Sequence, residues 1–111
     1  MSKRSKVQYI ECAHHEVQVS FVTKQYLRHI SKAKRDEDVY GYFDSDVNKI
    51  YILKGLDDHK TKHTLLHELK HAFDYQVSSM KDEEDICDAF STMLMRLCTK
   101  PWQEFLKDVI T

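Results

Sequence analysis

The feature that most constrains how this chain can fold is a long amphipathic segment, which predicts a helix from about residue 61 to residue 78. At about 100° per residue, the apolar side chains of this segment cluster on one side of the helix. That core side carries Leu65, Leu69, Ala72, Phe73 and Gln76, with Leu66 at its edge. The chain has only two glycines and one proline in 111 residues, so long structureless loops are not expected and helices are favoured.

Shorter segments around this helix complete an α+β pattern. β-Branched and aromatic residues predict strands over residues 7–10, 17–21, 39–43 and 50–53. The spacing of apolar residues predicts further helices over residues 24–34 and 82–97, and Pro101 is suited to open a short last helix. A chain of this length forms one domain with a modest core, so we expect a single α+β domain over residues 1–111.

The composition argues against several classes of protein. Basic residues number 17 and acidic residues 18, a balance that does not favour nucleic-acid binding through broad electrostatic attraction. No apolar run approaches the roughly 18 residues that a membrane span needs, so no membrane association is expected. The three cysteines form no Cys-x-x-Cys pair, which argues against a zinc ribbon or a dithiol redox site. Free thiols indicate a reducing compartment, and we expect a cytoplasmic protein.

The central helix carries the pattern His-Glu-x-x-His on a side distinct from its core side. His67 and His71 stand four residues apart, so both imidazoles can reach a single ion, with Glu68 beside them. Zinc accepts neutral imidazole nitrogens, and a glutamate next to the first histidine can take a proton from water at such a site. The pattern therefore predicts a zinc site in which His67 and His71 are ligands and Glu68 is the general base. His63 lies one turn earlier on the same side and is expected near the helix start or in the cleft.

A catalytic zinc site needs a third protein ligand, and the residues alone leave it open. Asp74 is on the same helix, where three ligands rarely converge, and the metzincin position six residues beyond His71 is occupied by Val77. Glu84 and Asp88 have the Glu-x-x-x-Asp spacing of a ligand and a residue that orients a ligand histidine. Glu83 remains an alternative to Glu84. A run of four acidic residues at a helix N-terminus also has a structural explanation, since the helix dipole favours it.

Together, the segments HTLLHELKHAFDYQ and EEDICDAFSTMLMRL resemble the ImmA/IrrE-type metallopeptidases and the small gluzincins called minigluzincins. The family pattern Thr-Leu-x-His-Glu-Leu-x-His corresponds to residues 64–71, and a second pattern, Glu-x-x-Ala-Asp/Asn-x-Phe-Ala, begins at Glu84. The similarity covers roughly residues 41–97. Two departures stand out: Lys70 replaces the frequent glycine before the second histidine, and Cys87 replaces the usual alanine. Many short relatives of this type come from phages and mobile elements.

The resemblance implies a minimal zincin: a small antiparallel or mixed sheet packed on the His-Glu-x-x-His helix and on a following helix that carries the glutamate ligand. It selects Glu84 rather than Glu83 as the third zinc ligand and gives Asp88 the role of orienting a ligand imidazole, that of His67. It also implies an edge strand over the cleft to which a protein or peptide substrate adds its own strand. The candidate edge is formed by Ile50, Tyr51 and Ile52.

The enzyme hypothesis is hydrolysis of a peptide bond in a specific protein. Zinc polarises the scissile carbonyl, and Glu68 takes the proton of the attacking water and gives it to the leaving amine. The tetrahedral oxyanion needs another donor, for which Tyr75, His63 and Tyr51 are candidates.

Two other hypotheses stay open. In the first, the chain is a zinc-stabilised binding module of a phage-encoded kind that engages a regulatory protein without cutting it. In the second, there is no metal and the histidines are surface groups. The sequence gives no indication of the oligomeric state.

Overall fold

The computed structural model describes residues 8–12, 15–32, 38–97 and 104 of the chain. Within these residues the protein is an α+β fold, with a four-stranded sheet and three helices. The elements are β1 (Gln8–Cys12), β2 (His15–Val22), α1 (Lys24–Ser31), β3 (Gly41–Asp44), β4 (Lys49–Leu53), α2 (Asp58–Gln76) and α3 (Glu83–Leu97). The predicted helix opened by Pro101 lies outside the described residues, apart from residue 104. No helix in the described part of the chain combines the length and apolar character that a membrane span requires.

The sheet is mixed and has the strand order β1-β2-β4-β3. β1 pairs antiparallel with β2, β2 pairs parallel with β4, and β4 pairs antiparallel with β3. Because parallel strands need a crossover connection, the chain between β2 and β4 cannot be a simple turn, and α1 and β3 lie within it.

The prediction that residues 50–52 form the edge strand is wrong. In β4, Ile50, Tyr51 and Ile52 pair with β2 on one side and with β3 on the other, so their backbone groups are shared between two ladders. Among the described residues, β3 is paired on one side only, which makes residues 41–44 an open edge of the sheet, in contact with α2. β4 is an inner strand of the sheet because it pairs in parallel with β2, a strand that is distant from it in the sequence.

The main core lies between one face of the sheet and helices α2 and α3. Successive residues of a strand point to opposite faces. Ile50 and Ile52 therefore belong to this core, whereas Tyr51 packs against α1 on the other face, with its ring 6.1 Å from that of Tyr26. The buried members of the main core are Ile10, Cys12, Val17, Val19, Ile50, Ile52, Leu65, Leu69, Ala72, Phe73, Val77, Ala89 and Met93. Burial of a side chain such as Leu65 contributes about 1.5–3 kcal/mol.

Helix α2 begins three residues earlier than the apolar pattern indicates. Asp57 is its N-cap, and the Oδ1 atom of Asp57 accepts a hydrogen bond of 2.7 Å from the backbone N–H of Lys60. This bond satisfies one of the amide groups left without a partner at a helix start. Helix α3 begins in a similar way, since the Oδ1 atom of Asp82 accepts from the backbone N–H of Glu84 at 2.9 Å.

Candidate metal centre

Helix α2 holds the His-Glu-x-x-His residues in place through its buried side. On the predicted core side, Leu65, Leu69, Ala72 and Phe73 are buried and Gln76 is half-buried, which fixes the rotation of the helix about its axis. His67 and His71 consequently face away from the core and are exposed. The prediction that the histidines occupy a side distinct from the core side is confirmed.

The imidazoles of His67 and His71 meet at their Nε2 atoms, which are within hydrogen-bonding distance of each other. Their Nε2 atoms lie 3.2 Å apart, and their rings are inclined at 74° with centroids 4.9 Å apart. For two nitrogens at zinc–nitrogen distances of about 2.0–2.1 Å, this separation corresponds to an angle of about 100° at the ion, close to tetrahedral. The spacing of these two nitrogens therefore fits two ligands of one zinc ion.

Glu68 lies beneath the sheet edge, with only 7% of its surface exposed. Burial raises the pKa of its carboxyl group, while the neighbouring His67 and His71 and a hydrogen bond from the backbone N–H of Phe43 act in the opposite direction. The net pKa is raised, which brings the carboxylate closer to the proton affinity that a general base needs near neutral pH.

Gly41 allows β3 to lie directly on α2 at this point. A Cβ atom added at Gly41 would lie 2.7 Å from Cγ2 of Thr64 and 3.0 Å from Cγ of Glu68. Any other residue at position 41 would therefore push the strand away from the glutamate. Sequence reasoning did not assign this role to Gly41, although a glycine within a predicted strand, one of only two in the chain, is a sign of close backbone approach.

The outer edge of β3 offers backbone groups to a ligand. The backbone N–H of Leu53 donates to the C=O of Tyr40 at 2.9 Å, so residue 40 faces β4. In an antiparallel ladder this orientation alternates along the strand. The N–H and C=O groups of Gly41 and Phe43 therefore point away from β4, toward the open side.

Two pockets flank Glu68 along this edge. The first, of about 330 Å³, is lined by Asp38, Val39, Tyr40, Gly41, His63, Thr64, His67 and Glu68. The second, of about 480 Å³, is lined by Gly41, Tyr42, Phe43, Ser45, Glu68, His71 and Tyr75. Since Gly41 and Glu68 belong to both, the two pockets form one cleft along β3 with the glutamate at its middle.

Of the three predicted oxyanion donors, two line the cleft. His63 lies in the first pocket, and Tyr75 lies in the second, where its ring meets the ring of Phe43 edge to face at 6.1 Å. Tyr51 is on the opposite face of the sheet, so the prediction that it lines the cleft is wrong. Burial and then the neighbouring Tyr26 raise the pKa of the Tyr51 hydroxyl, and the Lys49 Nζ atom lies 5.0 Å from its ring centroid.

The predicted third ligand is not assembled with the histidines. Among the described residues, no group of three His, Cys, Asp or Glu side chains is close enough to hold one ion. Glu84, its alternative Glu83 and the predicted orienting residue Asp88 are all exposed on α3. Asp74 is engaged elsewhere, because its Oδ2 atom lies 2.6 Å from Nζ of Lys70.

The rotation of α3 explains the position of Glu84. Ala89 and Met93 are buried in the core, and the ring of Phe90 packs on that of Phe73 with centroids 5.4 Å apart. Glu84 precedes Met93 by nine residues, which places it about 180° around the helix from that buried side chain. The structure therefore brings His67, Glu68 and His71 together and leaves Glu84 apart.

No protein-family model, no curated protein and no solved structure matches this chain. The resemblance to ImmA/IrrE-type metallopeptidases therefore rests on the two sequence segments that carry it.

Proposed function

We propose that this chain is a zinc-dependent metallopeptidase that hydrolyses a peptide bond of a specific protein substrate. The observation that carries the proposal is the convergence of the two imidazoles, whose Nε2 atoms lie 3.2 Å apart, on the helix that also buries Glu68 under the open strand edge. A surface pair of histidines needs no such buried carboxylate, whereas a hydrolytic site needs a base beside the metal ligands. On this proposal the α+β fold is a minimal zincin of the ImmA/IrrE type.

The residues of the site have distinct roles. Nε2 of His67 and Nε2 of His71 hold the ion, and zinc, when bound, supplies Lewis-acid polarisation of the scissile carbonyl. Glu68 accepts a proton from the attacking water and passes it to the nitrogen of the leaving amine. Tyr75 and His63, one on each side of Glu68, are the candidate donors to the oxyanion.

Glu84 is the proposed third ligand, and Asp88 the residue that orients the imidazole of His67. Both assignments come from the sequence resemblance. Since Glu84 is exposed and apart from the histidines in this structure, its role requires the first turn of α3 to move toward α2 when the ion binds. Only residues 77–82 separate the two helices, so the first turn of α3 follows closely in the chain after the C-terminal end of α2.

The substrate is an extended segment of a protein or peptide that adds a strand to β3. The outward N–H and C=O groups of Gly41 and Phe43 provide main-chain hydrogen bonds, and the two pockets receive side chains on either side of the scissile bond. In this proposal the edge formed by residues 41–44 replaces the edge first expected at residues 50–52. A cytoplasmic, phage-type protein with one dedicated substrate is the setting that the resemblance suggests.

The test of the metal site is the zinc content of the purified chain, measured by elemental mass spectrometry. We expect close to one zinc per chain in the wild type, a loss in His67→Ala and His71→Ala, and a strong reduction in Glu84→Ala. Glu83→Ala is the matched control, since it removes a neighbouring exposed carboxylate of the same helix turn. A wild-type protein without zinc after reconstitution would refute the proposal.

The test of catalysis is the Glu68→Gln variant. We expect it to keep its zinc, because His67 and His71 are unchanged, and to lose cleavage of any peptide that the wild type hydrolyses. Cleavage by Glu68→Gln at the wild-type rate would remove Glu68 from the mechanism.

The exposed position of Glu84 favours a second candidate function, that of a zinc-binding module without peptidase activity. A site with two histidines and no third protein ligand holds an ion less firmly and lacks the constraints of a hydrolytic centre. This candidate predicts that Glu84→Ala keeps the zinc content of the wild type, and that a bound partner protein is recovered intact after incubation with the wild type.

A further inference from the structure

A second pair of histidines, His59 and His63, precedes the first pair on helix α2. They stand four residues apart, and both side chains are exposed. Their ring centroids lie 6.4 Å apart, with the ring planes inclined at only 30°. Within the described part of the chain, neither imidazole makes a hydrogen bond or an ion pair, so both rings are free to rotate.

The first pair shows what this spacing permits on the same helix. His67 and His71 have the same separation of four residues, and their Nε2 atoms are already 3.2 Å apart. Residues at this spacing have Cβ atoms about 5–6 Å apart in any regular α-helix. Rotation of the exposed side chains of His59 and His63 therefore brings their nitrogens to the same separation without movement of the backbone.

We propose that His59 and His63 form a second binding site, for a borderline divalent transition-metal ion such as Ni²⁺ or Zn²⁺. Two neutral imidazole nitrogens are ligands that these ions prefer, whereas Mg²⁺ and Ca²⁺ prefer oxygen ligands and do not bind here. Water completes the coordination, since the pair is exposed. With only two protein ligands, this site is weaker than a complete three-ligand site.

The site lies at one end of the cleft. His63 lines the first pocket together with His67 and Asp38, so an ion held by His63 sits beside the passage that leads to Glu68. The carboxylate of Asp38 is available to the water ligands of such an ion. Binding at His59 and His63 does not depend on peptidase activity or on Glu84.

The experiment uses the untagged chain with His67→Ala and His71→Ala, which removes the first pair, and titrates it with Ni²⁺ by isothermal calorimetry. Both substituted histidines are exposed, so the core is unchanged, and circular dichroism verifies the fold. We expect about one Ni²⁺ per chain in this background. Adding His59→Ala or His63→Ala is expected to weaken binding about tenfold or more, because a single imidazole loses the advantage of a second linked ligand.

The matched control is His29→Ala in the same background, which removes an exposed histidine of α1 and leaves Ni²⁺ affinity unchanged. A second measurement uses the same background chain: paramagnetic Ni²⁺ broadens the imidazole signals of His59 and His63 in nitrogen-15 NMR spectra. Absence of Ni²⁺ binding in the background chain, affinity that survives both substitutions, or unbroadened signals from this pair would each overturn the proposal. Because the background lacks His67 and His71, these results are independent of zinc binding at the first pair.

Discussion

Gly41→Ala tests whether close contact between β3 and α2 sets the position of Glu68. The added methyl group would lie 2.7 Å from Cγ2 of Thr64 and 3.0 Å from Cγ of Glu68, whereas carbon atoms in contact are about 3.5–4.0 Å apart. Relief of the clash requires the strand to move away from the helix by about 1 Å. This movement also carries the backbone N–H of Phe43, which lowers the pKa of Glu68, away from the Glu68 carboxylate.

We expect Gly41→Ala to lower the free energy of unfolding by about 1–3 kcal/mol, the range for overpacked cores. Since β3 is an edge strand that can shift outward, we expect a loss of free energy of unfolding in the lower half of this range. For a chain of this size, each 1 kcal/mol lowers the melting temperature by about 4 °C. Urea denaturation followed by circular dichroism measures the change.

Thr64→Ser provides the compensating variant, because it removes the Cγ2 methyl group that makes the shortest contact with the added Cβ. The double variant is expected to recover part of the lost stability, and the contact with Glu68 Cγ accounts for the remainder. A Gly41→Ala protein as stable as the wild type would refute the packing argument. Equal destabilisation in the single and double variants would show that Thr64 is not the obstacle.

Three further predictions concern a cap, a buried thiol and a surface ion pair. Asp57→Ala removes the N-cap of α2 and should lower the free energy of unfolding by about 0.5–2 kcal/mol in urea denaturation. Burial raises the pKa of Cys12 to about 11 from 9.0. At pH 8 its thiol should therefore be alkylated far more slowly than the thiol of exposed Cys87. Peptide mapping after an iodoacetamide pulse measures the two rates. The pKa of Cys12 is higher in the folded than in the unfolded protein, so the protonated thiol stabilises the fold. This contribution is present below pH 9 and is lost as the pH rises toward 11. In Cys12→Ala the free energy of unfolding should therefore fall less over this pH range. Lys70→Ala breaks an exposed pair with Asp74 and should change the free energy of unfolding by less than about 0.5 kcal/mol.

The sequence was most informative for the central helix. Its apolar period identified the buried side, because Leu65, Leu69, Ala72 and Phe73 fall on one side in any regular helix. The same geometry placed the histidines away from the core. The early start of the helix at Asp58 depends on its capping aspartate, a local signal that the apolar period does not contain.

Features that depend on contacts between distant segments were not predictable in this way. The position of β4 between β2 and β3 results from a parallel pairing, which leaves no local mark on the residues that form it. The prediction for Tyr51 was wrong for a separate reason: its side chain lies on the face of the sheet that α1 covers, not on the face that α2 covers. The position of Glu84 is different: the buried residues of α3 indicate that it faces away from the core, in conflict with the ligand role that the family resemblance implies.

On the proposed function, the influence of the Phe43 backbone on Glu68 would link strand addition at β3 to the glutamate. The N–H of Phe43 is one of the outward groups of β3, and it acts on the carboxylate of Glu68 to lower its pKa against the larger effect of burial. A strand that pairs with β3 competes for the same N–H, because a backbone amide has a single hydrogen to donate. Pairing at Phe43 would therefore remove one of the influences that lower the pKa of Glu68, and that pKa would rise further. The proton affinity of the glutamate would then depend on the backbone of an incoming chain rather than on its side chains.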